Sequence, residues 1–404
     1  MGSSAAADTT RSAVLTFIGG HGPTSRADLA RHLGLSPALI TQVTKGLLTD
    51  GLITELETSP SRGGRPARLL GLVADAGGAI GVKVVVDHVT MVEVGIDGSV
   101  VRSATEPFDS FDPDATDHLV DLLRVFISGS VSTRLLGIGT ATPGSVDDQA
   151  VGTIESTQLG WHHMPLGQVL REAFDLPVLV DNNVNALATA ETLYGQARGR
   201  EDVLVVTIGT GVGAGIIANG RVLRGQGGGA GEIGHIPVVE DGPLCQCGNR
   251  GCLEAIVGEQ ALVTEARRRG ALSASEGVGA LQSRADAGSG EAQAVFADAG
   301  HLLGRALAGV VNTLDPEVLI IMGEGAAAWS HWMYGFEPAF RSCLVPAKQG
   351  IPVAIETWQD DRWAQGAACL VLSTPFDAEG RSGDQGRWVR ERLATPVSTN
   401  ESAS

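Results

Sequence analysis

Three cysteines and one histidine form the group of residues with the clearest chemistry in this sequence. Cys245, Cys247 and Cys252 fall within eight residues, and His235 lies ten residues before the first of them. One imidazole and three thiolates make a tetrahedral ligand set that suits Zn²⁺. Because four protein ligands leave no open position, we expect a structural zinc site. The alternative is a set of reduced, buried thiols beside a histidine.

The N-terminus favours metal ligation over disulfide bonds for these cysteines. Residues 1–10 are small and polar, with neither a basic start nor an apolar stretch, so they do not read as an export signal. Clustered cysteines in a chain without such a signal indicate a metal site. No run of about 18 uncharged apolar residues offers a membrane span. We therefore expect a cytoplasmic protein with no membrane partner.

The elements that must position these ligands alternate between strands and helices. Strand-like segments occupy residues 79–86, 91–96, 135–140, 177–181, 203–208 and 317–322, and helix-like segments occupy 116–128, 182–194, 253–269 and 291–314. This alternation predicts an α/β body over residues 79–372. The polar tail, residues 375–404, is expected to be disordered.

A separate set of elements precedes the body, in residues 11–74, after a flexible start at residues 1–10. Ser25 to Asp28 forms a capping-box-like helix start, and Ser36-Pro37 supplies an N-cap and an N1 proline for a second helix. Two strand-like segments follow, with a basic stretch between them. Two helices joined by a short turn and followed by a basic hairpin predict a winged helix-turn-helix that binds DNA.

The polar side of the second helix is the predicted DNA-reading surface. Its apolar residues share one side, which leaves Thr41, Gln42, Thr44 and Lys45 on the other. Gln42 suits a base edge and Lys45 a phosphate, while arginines in the hairpin tip suit phosphate or a narrow minor groove. A solvated loop is the alternative for that tip. The predicted DNA-binding residues are Ser36, Pro37, Ala38, Thr41, Gln42, Lys45, Arg62 and Arg65.

The distribution of charge agrees with a DNA contact confined to this head. The chain has 404 residues and a formal charge of −17, which by itself argues against a polyanionic partner. Residues 1–75, however, hold seven basic and six acidic side chains, a net charge of +1, so the remaining residues have a net charge of −18. An acidic body with a near-neutral head permits DNA binding through the head alone.

Four further motifs of the body, taken with the cysteines, resemble the ROK family (repressors, open reading frames, kinases). They are Gly229-Ala-Gly-Glu232-Ile-Gly-His235, Thr142-Pro-Gly-Ser145, Asp181-Asn-Asn-Val-Asn185 and the glycine-rich string Thr207 to Gly215. The head matches the repressor branch of that family. The resemblance implies a two-lobed, actin-like ATPase (sugar-kinase-like) fold with a sugar in the interlobe cleft. It implies that Asn182, Asn183, Glu232, His235 and Glu254 contact the sugar. Trp161, His162 and residues 155–158 can line or close this pocket, with core packing the alternative for Trp161.

Departures from the family's kinase pattern indicate that phosphoryl transfer is lost. The position of the catalytic aspartate is Asn183, and a carboxamide cannot act as a base near neutral pH. In the first strand of the body, Lys83 replaces an acid, and valines replace glycines that would approach phosphates. Gly323-Glu324-Gly325 replaces a Gly-Gly pair usual near the adenosine. We therefore expect no catalytic residues and weak or absent nucleotide binding.

The sequence as a whole predicts a sugar-responsive transcriptional regulator, with repression as the expected sign. Its partners would be a palindromic operator DNA, a small sugar or sugar derivative, and further copies of the chain in a homodimer or homotetramer. Two alternatives remain open. One is an ATP-dependent sugar kinase with a fused DNA-binding domain, and the other is a ligand-independent regulator in which the body serves only for assembly.

Overall fold

The computed structural model describes residues 10–11, 13–15, 17–19, 22–56, 68–73, 76–356, 361–376 and 383–394. Contacts divide these residues into two compact units. The first unit ends at Gly199 and resumes after the second, and the second comprises residues 200–359. The first unit therefore includes both the head and the C-terminal part of the chain.

The head folds as a winged helix-turn-helix, as predicted. Its helices are α1 (residues 10–19, with 12 and 16 outside the described set), α2 (Arg26–Leu33) and α3 (Pro37–Thr49). Strands β1 (Thr24–Ser25), β2 (Ile53–Leu56) and β3 (Leu69–Leu72) form an antiparallel sheet in the order β1-β3-β2. The side chain of Ser25 accepts a hydrogen bond from the Asp28 amide, and Ser36 accepts one from Leu39. Both predicted N-caps are therefore formed, and they place the two helices.

The rest of the first unit is built on a five-stranded sheet in the order β11-β7-β4-β5-β6. The strands are β4 (Gly78–Val84), β5 (His88–Gly95), β6 (Val100–Pro107), β7 (Leu135–Thr142) and β11 (Val178–Asn182). The chain also forms a small sheet of β8 (Ser145–Val146), β9 (Ile154–Ser156) and β10 (Trp161–Met164). The described helices of this part are α4 (Ala115–Ser128), α5 (Leu166–Phe174), α6 (Asn183–Tyr194), α12 (Asp361–Leu372) and α13 (Gly383–Ala394). A Cβ at Gly81 or Gly139 would overlap a carbonyl oxygen of α12, so glycine lets this helix approach the sheet.

The second unit repeats this sheet arrangement in the order β14-β13-β12-β15-β16. Its strands are β12 (Val203–Ile208), β13 (Val212–Ala218), β14 (Arg221–Val222), β15 (Val318–Met322) and β16 (Val353–Ile355). Its helices are α7 (Glu254–Val257), α8 (Glu259–Arg268), α9 (Val278–Asp286), α10 (Gly290–Leu314) and α11 (Trp329–Cys343). In both units an antiparallel meander leads into parallel strands. Two lobes of the same topology confirm the predicted actin-like α/β fold.

Within the described residues, α10 is the one helix long and apolar enough to meet the criteria for a membrane span. Ten of its residues, including Phe296, Leu303 and Leu307, are buried in the core of the second unit. Burial of this kind is also typical of a central helix in a water-soluble domain. Its length and apolarity are therefore weak evidence for a membrane span.

The expectation of a disordered tail is wrong for residues 383–394, which form α13. Val389 is fully buried and Leu393 is 5% exposed. Arg392 donates to the Leu135 carbonyl (3.0 Å), and the Gln385 side chain accepts from the Val178 amide (3.1 Å). The segment is polar in overall composition, which favoured disorder. Two of its apolar residues are four apart, however, so they share one side of the helix and pack on the first unit. Residues 377–382 and 395–404 lie outside the described set.

Candidate functional site

The four predicted metal ligands lie together. One donor atom from each of His235, Cys245, Cys247 and Cys252 can be chosen so that all lie within 4.8 Å of one another. The Cys247 and Cys252 sulfurs are 3.7 Å apart, and the His235 Nδ1 lies 3.5 Å from the Cys245 sulfur. Two thiolates bound to one zinc ion at about 2.3 Å in a tetrahedron are about 3.8 Å apart. The residues therefore fit a tetrahedral metal ion of this kind.

Backbone geometry places these ligands before any metal is considered. His235 ends a short 3₁₀ turn, Ile233–His235, and Cys252 pairs with Pro237 in an isolated β-bridge. The Cys245 amide donates to the Asn249 carbonyl (2.8 Å), which closes a tight loop around Cys247. Gly251 has φ of +71°, and a Cβ there would overlap the Val239 carbonyl oxygen. A glycine is therefore required immediately before the last ligand.

The electrostatics of the cluster also agree with a bound cation. Burial, together with the neighbouring thiols, raises the pKa of Cys252 to about 12. The backbone amide of Asn249 is the main cause that lowers the pKa of Cys247. Three adjacent thiolates repel one another, so the fully ionised set needs a positive ion. A divalent metal would provide that charge and release the thiol protons on binding.

Three of the five predicted sugar contacts come together in the second unit. His235 turns Nδ1 towards the cysteines and Nε2 towards Glu232, whose carboxylate oxygen is 3.7 Å away. Partial burial raises the pKa of Glu232, and nearby Glu254 raises it further. Glu254 also accepts a hydrogen bond from the Val212 amide (3.0 Å), which ties it to the glycine-rich turn. One imidazole can thus serve the metal with one nitrogen and a polar ligand with the other.

The other two predicted sugar contacts lie in the first unit, at the end of β11. Asn182 caps α6 by accepting from the Val184 amide (2.8 Å) and donates to the Gly144 carbonyl (2.8 Å). Both polar atoms of the Asn182 side chain are thus already hydrogen-bonded to the backbone. The Asn183 carboxamide oxygen is buried and has no hydrogen-bond partner among the described residues. A buried acceptor without a donor is costly, so Asn183 is the better candidate for a ligand contact.

The positions that depart from the kinase pattern have structural consequences within each unit. In the first, the Lys83 ammonium lies 5.2 Å from the centroid of the Trp363 ring, a cation–π distance. In the second, a Cβ on Gly209 would overlap the Glu324 carboxylate. The glutamate that replaces a glycine therefore lies against the first turn of the glycine-rich hairpin. The position of the Glu324 side chain depends on the packing of distant segments and is not evident from the sequence.

The segment around Trp161 divides into a core residue and exposed residues. Trp161 is 3% exposed and its indole donates to the Ser110 carbonyl (3.0 Å). Core packing, the alternative reading of Trp161, is therefore correct. The side chain of His162 is 70% exposed and pairs with Glu155 (2.6 Å), so these two residues remain available to a ligand.

The predicted DNA-reading surface is exposed, with one correction. Ser36, Pro37, Ala38, Thr41, Gln42 and Lys45 are all exposed on or beside α3. Thr44, expected on the same side, is fully buried, donates to the Ile40 carbonyl (2.8 Å) and accepts from Arg26 (3.0 Å). The helical pattern placed Thr44 on the polar side, but the side chain of Arg26 in α2 covers it. Arg62 and Arg65 lie outside the described residues.

Comparisons with known proteins agree with this geometry. The model of the ROK family matches residues 80–374. The DNA-binding transcriptional dual regulator NagC of Escherichia coli K12 is 31% identical over 384 residues, which cover 89% of this chain and 91% of NagC. The xylose repressor of Bacillus subtilis 168 is 30% identical over 303 residues, covering 74% of this chain and 78% of the repressor.

A solved structure extends the similarity to nearly the whole chain. A ROK family transcriptional regulator, described as a homologue of the Escherichia coli MLC protein, superposes with a TM-score of 0.80 at 26% identity. The superposition covers 96% of this chain and 99% of that one. Glucokinases match as well, over a smaller share of this chain. The protein therefore belongs to the ROK family.

Proposed function

We propose that the protein is a sugar-responsive, DNA-binding transcriptional regulator, a repressor of carbohydrate metabolism genes. One observation is central to the proposal: the chain combines an exposed surface on α3 with a His235–Glu232–Glu254 group beside three cysteines that could bind a metal ion. The named relatives that span most of the chain are a xylose repressor and a DNA-binding transcriptional dual regulator. These two features support DNA as the partner of α3 and a polyol as the partner of the His235 group.

We propose that Asn182 and Asn183 in the first unit, and Glu232, His235 and Glu254 in the second, are residues that contact the effector. Carboxylates and carboxamides can hold adjacent hydroxyl groups through paired hydrogen bonds. The zinc ion, held by His235 and the three cysteines, would serve as a structural tie that fixes the imidazole towards the sugar. Energetically, the sugar must bind the DNA-released state better than the DNA-bound state, because equal affinity for both states shifts nothing.

We further propose that the protein has lost kinase activity. Asn183 offers no base, and the Glu324 carboxylate lies against the turn at Gly209. The surviving glycine turn keeps the enzyme alternative open to experiment. If ADP forms with any hexose above the background rate, the protein is a kinase with a DNA-binding domain and this part of the proposal fails.

Assembly and location complete the proposal. We expect a homodimer or homotetramer that places two heads on a palindromic operator, since two-fold protein symmetry matches two-fold site symmetry. Regulation of genes implies a cytoplasmic protein. Light scattering of the zinc-loaded protein, alone and with operator, would measure the subunit number, and a monomer in both conditions would contradict this expectation.

The decisive experiment is a thermal-shift titration of the zinc-loaded protein with hexoses, pentoses and N-acetylated sugars, with and without ATP. A shift from one sugar that does not need ATP supports the sensor. A shift that requires ATP supports the kinase, and no shift from any sugar supports the ligand-independent regulator. Glu232→Gln should abolish the sugar shift, whereas Glu240→Gln, at an exposed acid in the same segment, should leave it unchanged.

A further inference from the structure

Helix α6 joins two places in the first unit that the proposed function uses. Its N-terminal end is the sugar-contact segment, where Asn182 is the N-cap and the buried Asn183 oxygen has no hydrogen-bond partner among the described residues. Its 12 residues end at Tyr194. A helix of this length is about 18 Å long. A movement of Asn183 can therefore be transmitted through the helix to the residues after Tyr194, about 18 Å away.

Helix α6 packs closely on α12 and is tied to the turn that follows it, so these parts can move together. A Cβ on Gly366 of α12 would lie 3.1 Å from the Ala186 backbone, so these helices pack closely. The Tyr194 hydroxyl donates to the Ile96 carbonyl (2.8 Å). Glu191, almost fully buried, accepts from the Gln196 amide (2.8 Å) and pairs with Arg362 (3.3 Å). The turn after α6 is therefore tied to the helix and moves with it.

That turn ends at a contact with the DNA-binding head. The Arg198 amide donates to the Gly195 carbonyl (3.3 Å), and its guanidinium donates to the Gly19 carbonyl (2.5 Å). Gly19 is the last described residue of α1. The final carbonyls of a helix have no amide partner within the helix and bear partial negative charge. Arg198 thus supplies a cation and a directional hydrogen bond to the C-terminal end of a head helix.

We propose that Arg198 is the positioning residue that couples occupancy of the sugar site to the head. The proposal rests on the proposed function, since it assigns the route by which the sugar acts on DNA binding. A sugar that hydrogen-bonds to the Asn183 side chain shifts the first turn of α6. The packed helix transmits this shift to Arg198. Because the hydrogen bond to Gly19 is directional, the shift changes how firmly α1 is held. Coupling of this kind is reciprocal, so DNA bound to the head alters sugar affinity by the same factor.

Hydrogen–deuterium exchange of the full-length, zinc-loaded protein tests the coupling. Exchange of residues 10–19 is followed in wild type and in Arg198→Ala, with and without saturating D-xylose, D-glucose or N-acetyl-D-glucosamine. Arg171→Ala is the matched control, because Arg171 also donates to backbone carbonyls (Ala150, 2.7 Å) but in a different part of the lobe. We expect sugar to change exchange in α1 severalfold in wild type and the control, and less than twofold in Arg198→Ala. The sugar should still bind that variant.

Each result decides one of the two proposals. If sugar changes α1 exchange in Arg198→Ala as much as in wild type, the coupling role of Arg198 is overturned. If none of the three sugars shifts the melting temperature of wild type, these sugars are not the effector. The coupling between Asn183 and Arg198 is then tested without sugar. In that case Asn183→Ala, Arg198→Ala and the double variant are compared by α1 exchange. Non-additive effects support the route through α6, and additive effects overturn it.

Discussion

Substituting Gly251 by alanine should abolish tight zinc binding, because two backbone constraints meet at this residue. Its φ of +71° costs an L-residue about 1 kcal/mol. In addition, the new Cβ would lie under 3.0 Å from the Val239 carbonyl oxygen, a distance that Cβ atoms essentially never show. The two segments must separate by about 1.7 Å, because the Cβ would lie 1.7 Å from that oxygen and van der Waals contact begins at 3.4 Å.

That displacement acts directly on a metal ligand, since Cys252 is the next residue. Zinc–ligand distances tolerate deviations of about 0.2 Å, so a shift of this size takes one thiolate out of the tetrahedron. We expect zinc affinity to fall at least about 100-fold, beyond the 10- to 100-fold usual for lost outer-shell support. Competition with a chromogenic chelator, at fixed pH under reducing conditions, measures the affinity.

Gly248 provides an internal control in the same loop. Its φ is +88°, but a Cβ there would meet no atom within 4 Å. Gly248→Ala therefore has the backbone strain without the overlap and should lose roughly tenfold or less, by the 1.4 kcal/mol per decade of affinity. Equal zinc affinities for the two variants would refute the reasoning, because they would show that the Val239 contact does not position Cys252.

Three further predictions concern the lobes and the head. Glu93 is fully buried and accepts from Ser130, Ser132 and Arg102, so Glu93→Ala should cost about 3 to 5 kcal/mol of unfolding free energy, measured in urea. Burial opposes ionisation of Glu93, but hydrogen bonds from Ser132 and its neighbours lower its pKa below 4.5. The ionised side chain therefore stabilises the fold above that pH, and the difference from the variant should shrink as the pH falls through the folded-state value; a constant difference would contradict this. Glu324→Gly should raise the affinity for ATP measured by calorimetry, without ADP formation, because Asn183 still provides no base; strong ATP binding by wild type would show that Glu324 does not exclude ATP. On an operator selected from random DNA, Lys45→Ala should weaken binding to all sequences and reduce the slope of log binding constant against log salt concentration by about 1. Gln42→Ala should instead relax the preference at one base pair. The reverse pattern would exchange the roles of the two residues.

The sequence alone predicted the features that depend on interactions between residues close together in the chain. Ser25 and Ser36 each cap a helix by accepting from the amide three residues ahead, so local residue types alone predicted where α2 and α3 begin. Cys245, Cys247 and Cys252 belong to one short loop, and three soft ligands so close in the chain leave few other roles. The ordered motifs from Thr142 to Glu254 likewise indicated the family before any coordinates.

Only the tertiary structure decided what distant segments do to one another. Thr44 was expected at the DNA surface, but Arg26, 18 residues earlier, covers it. The tail was expected to be disordered, but two apolar residues of α13 find a surface built from β7 and its neighbours. Glu324 meets Gly209 and Arg198 meets Gly19 across more than 100 residues each. A sequence fixes periodicity and local hydrogen bonds, whereas the partner of a side chain across such a distance depends on how the sheets and helices pack.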